Sequence, residues 1–229
     1  MTQQPFSDKS ESSSPTLEKD ASLPDGRRRR STGDIRRARM REAALSFFSH
    51  YGLHGASLDQ IADLAGVSKT NLLYHYPSKE ALYLAVLHDM LDIWKAPFAA
   101  LHHELEPLDA IRHYIRLKLE MSRDHAEASK LFCLEVLQGA PLLKGELEGS
   151  VRELVEEKSC VIRRWVEEGR LAPVDPGHLF YMLWASTQHY ADFAAQIEAV
   201  SGRSLKDPDF LEEAIDNVQS MIIAGITPR

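Results

Sequence analysis

The sequence contains few cysteines and no long hydrophobic segment, and each absence excludes a class of protein. Its 229 residues include two cysteines, Cys133 and Cys160, whose spacing does not match that of paired metal ligands. Isolated cysteines of this kind are expected as small core side chains in a reducing compartment. No apolar run reaches the ~18 residues needed to span a bilayer, and the first residues contain no apolar signal segment. We therefore expect a cytoplasmic protein without a membrane partner.

The motifs of common enzyme classes are also absent. There is no phosphate-binding loop, no dinucleotide-binding glycine pattern, no nucleophile elbow and no HExxH helix. His50 and His54 stand four residues apart, but Gly52 lies between them at a predicted helix end and no third ligand is evident. We therefore predict a protein that is not an enzyme and that needs neither a metal nor a cofactor.

Positive charge is scarce overall but concentrated in one stretch. The formal net charge of the chain is -7, yet residues 27–79 contain ten Lys and Arg against four Asp and Glu. Residues 1–26 contain two against five, so the rest of the chain is strongly acidic. A basic module joined to an acidic body favours contact with DNA at one end only, because phosphate repels the body.

Residues 1–33 are predicted to form a disordered tail with a basic end. Residues 1–26 are rich in Ser, Asp, Glu and Pro and contain almost no aromatic residue, so they cannot bury enough surface to fold. The basic run Arg27–Arg30 follows. It can act as an arm along DNA, or as a solvated charge that attracts phosphate without a defined contact, and we favour the second interpretation.

Residues 57–82, with the sequence SLDQIADLAGVSKTNLLYHYPSKEAL, predict two short helices joined by a glycine turn. Ser57 suits the N-cap of the first helix, and Gly66 can adopt the left-handed conformation that ends it. Ser68 can cap the second helix. A small helical hairpin with solvated polar residues is the alternative. The coincidence of turn, caps and a polar outer face favours a helix-turn-helix DNA-binding domain over residues 34–80.

The second of these helices has side chains that can read the major groove. Short hydrogen-bonding groups and a long cation at the N-terminal end of such a helix reach base edges, as Lys69, Thr70 and Asn71 would. Tyrosine hydroxyls suit phosphate, and a lysine beside a helix N-terminus forms a further phosphate clamp. The complete set of predicted DNA-binding residues is Ser57, Ser68, Lys69, Thr70, Asn71, Tyr74, His75, Tyr76 and Lys79.

Residues 81–229 are predicted to be helical throughout, which gives an all-α fold. Pro97 is expected to bend or end the helix that follows Ser78. Asp175 and Asp207 each precede a proline, the pattern of an N-cap before the first helical residue, and are expected to open the last two helices. Both helices carry broad apolar faces. A second copy of the chain can cover these faces, which predicts a two-fold homodimer. A wholly intramolecular core is the alternative.

The helix-turn-helix sequence, placed after one helix and before a helical body, resembles the TetR family of dimeric transcriptional regulators. The resemblance implies nine helices per subunit, a palindromic double-stranded operator, and a C-terminal domain that binds a small molecule and dimerises. The segments YIRLKLEMSRD, LAPVDP and LWASTQHYADFAAQIEAV are similar to those of a branch of the family that senses uracil. The resemblance therefore implies a repressor of pyrimidine-utilisation genes that uracil or thymine releases from its operator.

Trp184 and Gln188 are the residues that the resemblance assigns to pyrimidine binding. They lie four residues apart, so both project from one face of the same helix. A glutamine amide can match two adjacent groups on the edge of uracil, and an indole can bound the ring. Without the resemblance, a Trp on an apolar face more often belongs to the core, and a buried Gln more often bonds to the backbone.

Lys118 is a weaker candidate for the same ligand site, because its stem lies on an apolar helical face. It can line the cavity. An ordinary ion pair, for example with Glu135, or an amine that reaches solvent is the interpretation we favour.

Two other functions stay open at the level of sequence. The protein can be a TetR-like repressor with a different small-molecule effector, or a DNA-binding dimer whose body has no effector. If a ligand does control DNA binding, the helix that begins after Ser78 touches the reading module at one end and the body at the other. We expect this helix to transmit the effect of the ligand.

Overall fold

The computed structural model describes residues 32–229, and within that range the secondary structure is helical without a strand. The all-α prediction is confirmed. The helices are α1 (Thr32–Gly55), α2 (Leu58–Ala65), α3 (Lys69–His75), α4 (Lys79–Ala99), α5 (Pro107–Asp124), α6 (Ala126–Leu137), α7 (Lys144–Glu146), α8 (Arg152–Glu167), α9 (Pro176–Asp192), α10 (Ala194–Ser201) and α11 (Pro208–Ile226). A π-helical segment, Leu147–Val151, joins α7 to α8. The predicted tail and its basic run lie outside the described residues, except that Thr32 and Gly33 already belong to α1.

The resemblance implied nine helices, whereas the described range contains eleven α-helical segments. Single residues separate some of these segments: α6 follows α5 after His125 alone, and α10 follows α9 after Phe193 alone. The implied number of nine is therefore wrong for the described residues. The presence of α10 also corrects the prediction that Asp175 and Asp207 open the last two helices, since α10 lies between the two helices that they cap.

Glycine and serine residues set the boundaries of the first three helices. Gly52 has φ 67° and interrupts α1, and Gly66 has φ 68° and ends α2, as predicted. Oγ of Ser68 accepts a hydrogen bond from the backbone N–H of Asn71 at 3.1 Å, which caps α3. Ser57 occupies the N-cap position of α2 in an extended conformation, but its side chain makes no capping hydrogen bond. The predicted side-chain cap at Ser57 is therefore wrong.

The first three helices pack around a hydrophobic core that also includes part of the body, and we call it the first core. Phe48 on α1, Leu72 on α3 and Leu82 on α4 are fully buried in it. Leu131 on α6 is fully buried in the same core, and α6 packs against both α1 and α4. The reading domain predicted for residues 34–80 thus shares its core with a helix far along the chain.

A second core lies in the body. Trp165 on α8 and Phe180 on α9 are fully buried there. Asp175 caps α9 by accepting a hydrogen bond from the backbone N–H of His178 at 2.9 Å, and Asp207 caps α11 in the same way. Both predicted helix starts are confirmed.

One long helix, α4, connects the two cores. Its first half buries Leu82 and Leu87 in the first core, and Phe98 near its end lies in the second core. Pro97 lies within the last turn, and the helix ends shortly after it at Ala99. α4 therefore joins the first three helices to the body as a single continuous helix.

Candidate functional site

Helix α3, the predicted recognition helix, presents polar side chains outward because a leucine anchors its inner face. Leu72 is fully buried, whereas Lys69, Thr70 and Tyr74 are exposed. Tyr74 is 83% exposed, and its ring packs edge-on against the ring of His75, with 5.2 Å between centroids. The predicted reading residues at the start of α3 therefore share the exposed surface of one short helix.

Asn71 is held at the edge of this surface. Its backbone N–H donates to the Ser68 cap, and its side chain is half-buried. Its Oδ1 atom is buried and has no hydrogen-bond partner within residues 32–229. An amide oxygen without a partner is suited to accept a hydrogen bond from the amino group of adenine.

Lys69 is paired within the protein. Its Nζ lies 2.9 Å from Oδ2 of Asp59 on α2, and the two side chains are 49% and 66% exposed. A surface pair of this kind is worth no more than about 1 kcal/mol. A pair this weak leaves Lys69 able to exchange Asp59 for a stronger partner, and its contact with DNA stays a prediction.

Tyr76 is nearly buried, in contrast to Tyr74. It is 8% exposed, and its hydroxyl accepts a hydrogen bond from the guanidinium of Arg41 at 3.0 Å. Arg41 also forms an ion pair with Asp89 on α4. Arg41, which the sequence did not single out, fixes the position of the Tyr76 hydroxyl, and the contact of this hydroxyl with phosphate stays a prediction.

Lys79 contacts the backbone before α2. Its ammonium donates to the carbonyl oxygens of His54 at 3.2 Å and Ala56 at 3.0 Å. Oγ of Ser78 accepts a hydrogen bond from the N–H of Ala81 at 3.1 Å and so caps α4. The lysine thus ties the end of α1 to the start of α4, and its contact with phosphate stays a prediction.

A cavity of about 120 Å³ lies in the body beside the second half of α4, and we call it the effector cavity. A cavity of roughly this size can hold one six-membered ring. Its wall is mainly aromatic and aliphatic and contains no carboxylate. The lining residues are Leu91, Trp94, Lys95, Phe98, Tyr114, Lys118, Phe132, Leu147, Val151, Leu154, Val155, Trp184 and Gln188.

The three predicted ligand residues, Trp184, Gln188 and Lys118, all line this one cavity. Nε1 of Trp184 donates to the hydroxyl of Tyr114 at 3.0 Å, and the ring centroids of Trp184 and Phe98 lie 5.9 Å apart. The indole is thereby held as a wall with its N–H already used. Gln188, one turn along α9, is half-buried, and its amide makes no hydrogen bond with the described residues. It can therefore pair with a ligand.

Lys118 brings a buried cation to the effector cavity. It is 3% exposed, and its Nζ lies 5.0 Å from the centroid of the Trp94 ring. Burial lowers the pKa of Lys118 to about 8, and the negative charge of Asp192 opposes this shift. The favoured expectation of an ion pair with Glu135 or of an amine in solvent is wrong. The Glu135 carboxylate is buried and accepts hydrogen bonds from the hydroxyl of Tyr83 and from backbone N–H groups of the turn after α6.

Sequence reasoning missed the walls that α4, α6 and α8 contribute to the cavity. Trp94 and Phe98 on α4 are four residues apart, the same spacing that drew attention to Trp184 and Gln188. Spacing shows that two side chains share a face. It does not show whether that face meets a cavity or a packed core, so this signal alone could not have found them.

Helices α9 and α11 border a second apolar surface, the α9–α11 groove, with a volume of about 370 Å³. Met182 and Met221 on its rim are 62% and 76% exposed. Apolar side chains at such exposure form the kind of surface that a second subunit covers. The predicted dimer through these helices thus has a surface available to it.

His50 is one of the two histidines that stand four residues apart in the sequence. Nδ1 of His50 contacts the backbone oxygen of Ser46 at 2.7 Å, within its own helix. Within residues 32–229, no group of three or more His, Cys, Asp or Glu is placed to hold a metal ion. In the same range, no helix is long and apolar enough to cross a membrane.

Two family profiles together match most of the chain. Residues 41–86 match the family described as bacterial regulatory proteins, tetR family, and residues 87–229 match the family described as YcdC-like protein, C-terminal region. The chain is 57% identical over 204 residues to the HTH-type transcriptional regulator RutR of Escherichia coli strain K12. This alignment covers 89% of the chain and 96% of that protein.

Solved structures share the fold at much lower identity. The ketosteroid transcriptional regulator KstR2 of Mycobacterium tuberculosis superposes with a TM-score of 0.66 at 18% identity, over 85% of this chain and 96% of that one. AibR in complex with isovaleryl coenzyme A and operator DNA superposes with a TM-score of 0.61 at 17% identity, over 81% of this chain and 97% of that one. These two likenesses concern the fold alone.

Proposed function

Because the chain belongs to the TetR family of bacterial transcriptional regulators, we propose that it is a cytoplasmic repressor of pyrimidine-utilisation genes that uracil or thymine releases from a palindromic operator. Like its relatives, which are named transcriptional regulators, the chain is a ligand-responsive DNA-binding regulator. It is not an enzyme. The proposal adds the identity of the effector, the direction of control, and a homodimer formed through α9 and α11.

The observation that carries the effector proposal is the meeting of Trp184, Gln188 and Lys118 in one small cavity. Uracil is a flat, neutral ring that presents carbonyl acceptors and N–H donors. A glutamine amide offers one acceptor and two donors, and a lysine ammonium donates to a carbonyl. Aromatic walls cover the faces of the ring. No carboxylate lines the cavity, so a cationic ligand has no counter-charge there.

The DNA side of the proposal depends on two copies of α3. In a two-fold dimer, both recognition helices enter successive major grooves only when they are about 34 Å apart, one turn of the double helix. Lys69, Thr70 and Asn71 at the start of α3 then face base edges, while Tyr74, Tyr76 and Lys79 face phosphates. Any movement that changes the spacing of the two helices weakens operator binding.

The packing provides two routes from the effector cavity to α3. α4 contributes Trp94 and Phe98 to the cavity and Leu82 to the first core. α6 contributes Phe132 to the cavity and Leu131 to the first core. A ligand that shifts either helix therefore disturbs the core that supports α3. Thermodynamic linkage requires that DNA weakens uracil binding by the same factor by which uracil weakens DNA binding.

Uracil titration with and without operator DNA tests the proposal directly. We expect uracil to bind the isolated dimer more tightly than the operator complex, by roughly 5- to 150-fold, the usual range of allosteric coupling. Equal affinities in the two states would exclude the proposed release. A thermal-shift panel that contains uracil, thymine and purine bases checks the effector class, because selective binding raises the melting temperature. A melting temperature that no pyrimidine raises would leave a DNA-binding dimer with another effector or with none.

A further inference from the structure

A second hollow lies beside the effector cavity, and we call it the α6–α9 cleft. Its volume is about 320 Å³. Three residues line both spaces: Phe132 on α6, and Trp184 and Gln188 on α9. The two spaces are therefore separated by these three side chains rather than by a length of helix. The residues that line only the cleft are Cys133, Val136, Leu137, Ala185, His189, Asp192 and Phe193.

The outer part of the cleft faces solvent. Leu137, Phe193 and Val136 are 76%, 48% and 41% exposed. Ala185 and His189 on α9 are exposed as well. The three residues of the partition are each half-buried, although they also line the effector cavity. Solvent therefore reaches the partition itself.

The inner part of the cleft is polar. The Asp192 carboxylate accepts a hydrogen bond from the hydroxyl of Ser129, and burial raises the pKa of Asp192. The thiol of Cys133 lies beside the same carboxylate, and burial raises the pKa of this thiol too. A neutral heterocycle that leaves water can replace some of its hydrogen bonds at these groups before it meets the partition.

The cavity wall that the π-helical segment forms is less free to move. The π-helical segment contributes Leu147 and Val151 to the cavity, but both side chains also pack against the first core. Opening the cavity there would disrupt that packing.

Gln188 is free to change its conformation. Its side chain makes no hydrogen bond with the described residues, and side chains with solvent access change rotamer within picoseconds to nanoseconds.

We propose that the α6–α9 cleft is the entrance through which the effector reaches its cavity, and that Gln188 is its movable inner door. This inference rests on the proposed effector site. Gln188 then has two duties, since the amide that pairs with the pyrimidine edge also closes the passage behind it. An entrance sets how fast a ligand enters and leaves, and it leaves the equilibrium affinity unchanged.

The double variant Ala185→Phe/Val136→Phe tests the entrance. Both residues line the cleft and not the cavity, and both are exposed enough to carry a larger side chain. Stopped-flow mixing with uracil, followed by tryptophan fluorescence, gives the association and dissociation rates. We expect both rates to fall together by roughly tenfold, with the dissociation constant unchanged. Each single substitution is expected to slow both rates in the same direction.

The control is Ala195→Phe on α10, an exposed alanine that lines neither space. It is expected to keep wild-type rates, and the melting temperature of each variant confirms that it is folded. Unchanged rates in the double variant would place the entrance elsewhere. A raised dissociation constant with faster dissociation would make the cleft part of the binding site instead. If the wild-type protein does not bind uracil, the proposed effector is wrong and this inference fails with it.

Discussion

The ammonium of Lys118 lies inside the effector cavity, where charge is costly. Its pKa falls to about 8 because burial removes water from the charged form, while the nearby ring of Trp94 and the charge of Asp192 offset part of that cost. A residue kept at such a cost is expected to serve a ligand. A carbonyl oxygen of a bound pyrimidine is a suitable acceptor for its protons.

Replacing Lys118 by methionine is expected to stabilise the protein at neutral pH by roughly 2 kcal/mol, because the cost of the buried charge disappears. In the wild-type protein the unfolded lysine, with a pKa of 10.5, holds its proton to higher pH than the folded one, with a pKa of about 8. Wild-type stability therefore rises with pH between these two values, and the advantage of Lys118→Met shrinks across the same window. Urea unfolding on both sides of that window measures this. A constant difference would contradict the assignment.

Trp184→Ala is expected to keep operator binding but to lose the response to uracil. Truncation removes the wall that covers the ring, so effector affinity should fall by at least about tenfold. Operator binding measured by fluorescence anisotropy, with and without uracil, gives both numbers. Val200→Ala on α10 is the control, because this side chain is 84% exposed and does not line the cavity. Release by uracil at wild-type concentrations in Trp184→Ala would remove Trp184 from the site.

Asp59→Asn is expected to strengthen binding to random DNA about threefold, because the Asp59 carboxylate no longer competes with phosphate for Lys69. The increase is small because an exposed ion pair is worth at most about 1 kcal/mol. Operator affinity should rise by at least the same factor, because Lys69 faces base edges in the proposed complex. Asp63→Asn removes the same charge from α2, and Asp63 forms no ion pair within residues 32–229, so it is the control. Equal effects of the two substitutions would point to net charge alone. Affinities for both DNAs at matched salt decide between them.

At the level of residues, the sequence predicted what depends on neighbours along the chain. Trp184 and Gln188 share a face because they are one turn apart, and that relation survives folding. The Glu135 carboxylate accepts hydrogen bonds from backbone N–H groups in the turn after α6 and from the hydroxyl of Tyr83 on α4, and Lys118 lies over the ring of Trp94. The contact between Tyr83 and Glu135 joins residues far apart in the sequence, which leaves no local pattern. The ion pair between Lys69 and Asp59 was missed for a related reason, since it crosses the glycine turn.

At the scale of elements, the glycine turn between α2 and α3 is the feature on which the reading surface depends. Gly66 has a positive φ, and a Cβ atom there would meet nothing within 4 Å. Gly66→Ala is therefore expected to cost about 1 to 2 kcal/mol from backbone strain alone. Gly145→Ala in α7 is the control, because the site is equally open, its φ is not positive, and alanine favours a helix. Denaturant unfolding of both variants measures the difference. An equal effect would mean that strain at Gly66 is unimportant.

The helix starts and stops were predicted well where they depend on one residue type. Gly52, Gly66, Asp175 and Asp207 act as expected because a positive φ or a carboxylate cap is a local property. Ser57 shows the limit of this reasoning. It stands at the right position, but its hydroxyl makes no capping bond, so a residue type suited to a role does not ensure that the role is filled.

At the scale of the whole molecule, the proposed function requires a dimer through the α9–α11 groove. Met182→Glu places a charge on this apolar surface and is expected to weaken dimerisation by far more than tenfold, because an unpaired buried charge costs about 3 kcal/mol or more. Operator binding should be lost with it. Met182→Leu preserves the apolar contact and is the control. Sedimentation at low micromolar concentration measures the oligomeric state, and a Met182→Glu protein that stays dimeric would exclude this surface.

The first core has a practical consequence for the exchange of helix-turn-helix domains between regulators. Leu131 of α6 is fully buried in the same core as Phe48 and Leu72, so a graft that ends at residue 80 would carry an incomplete core into its new host. The host must then supply a helix of matching shape in the position of α6. Functional hybrids are therefore expected when the graft includes the inward-facing side chains of α6 together with the helix-turn-helix domain. Insoluble hybrids are expected when it does not.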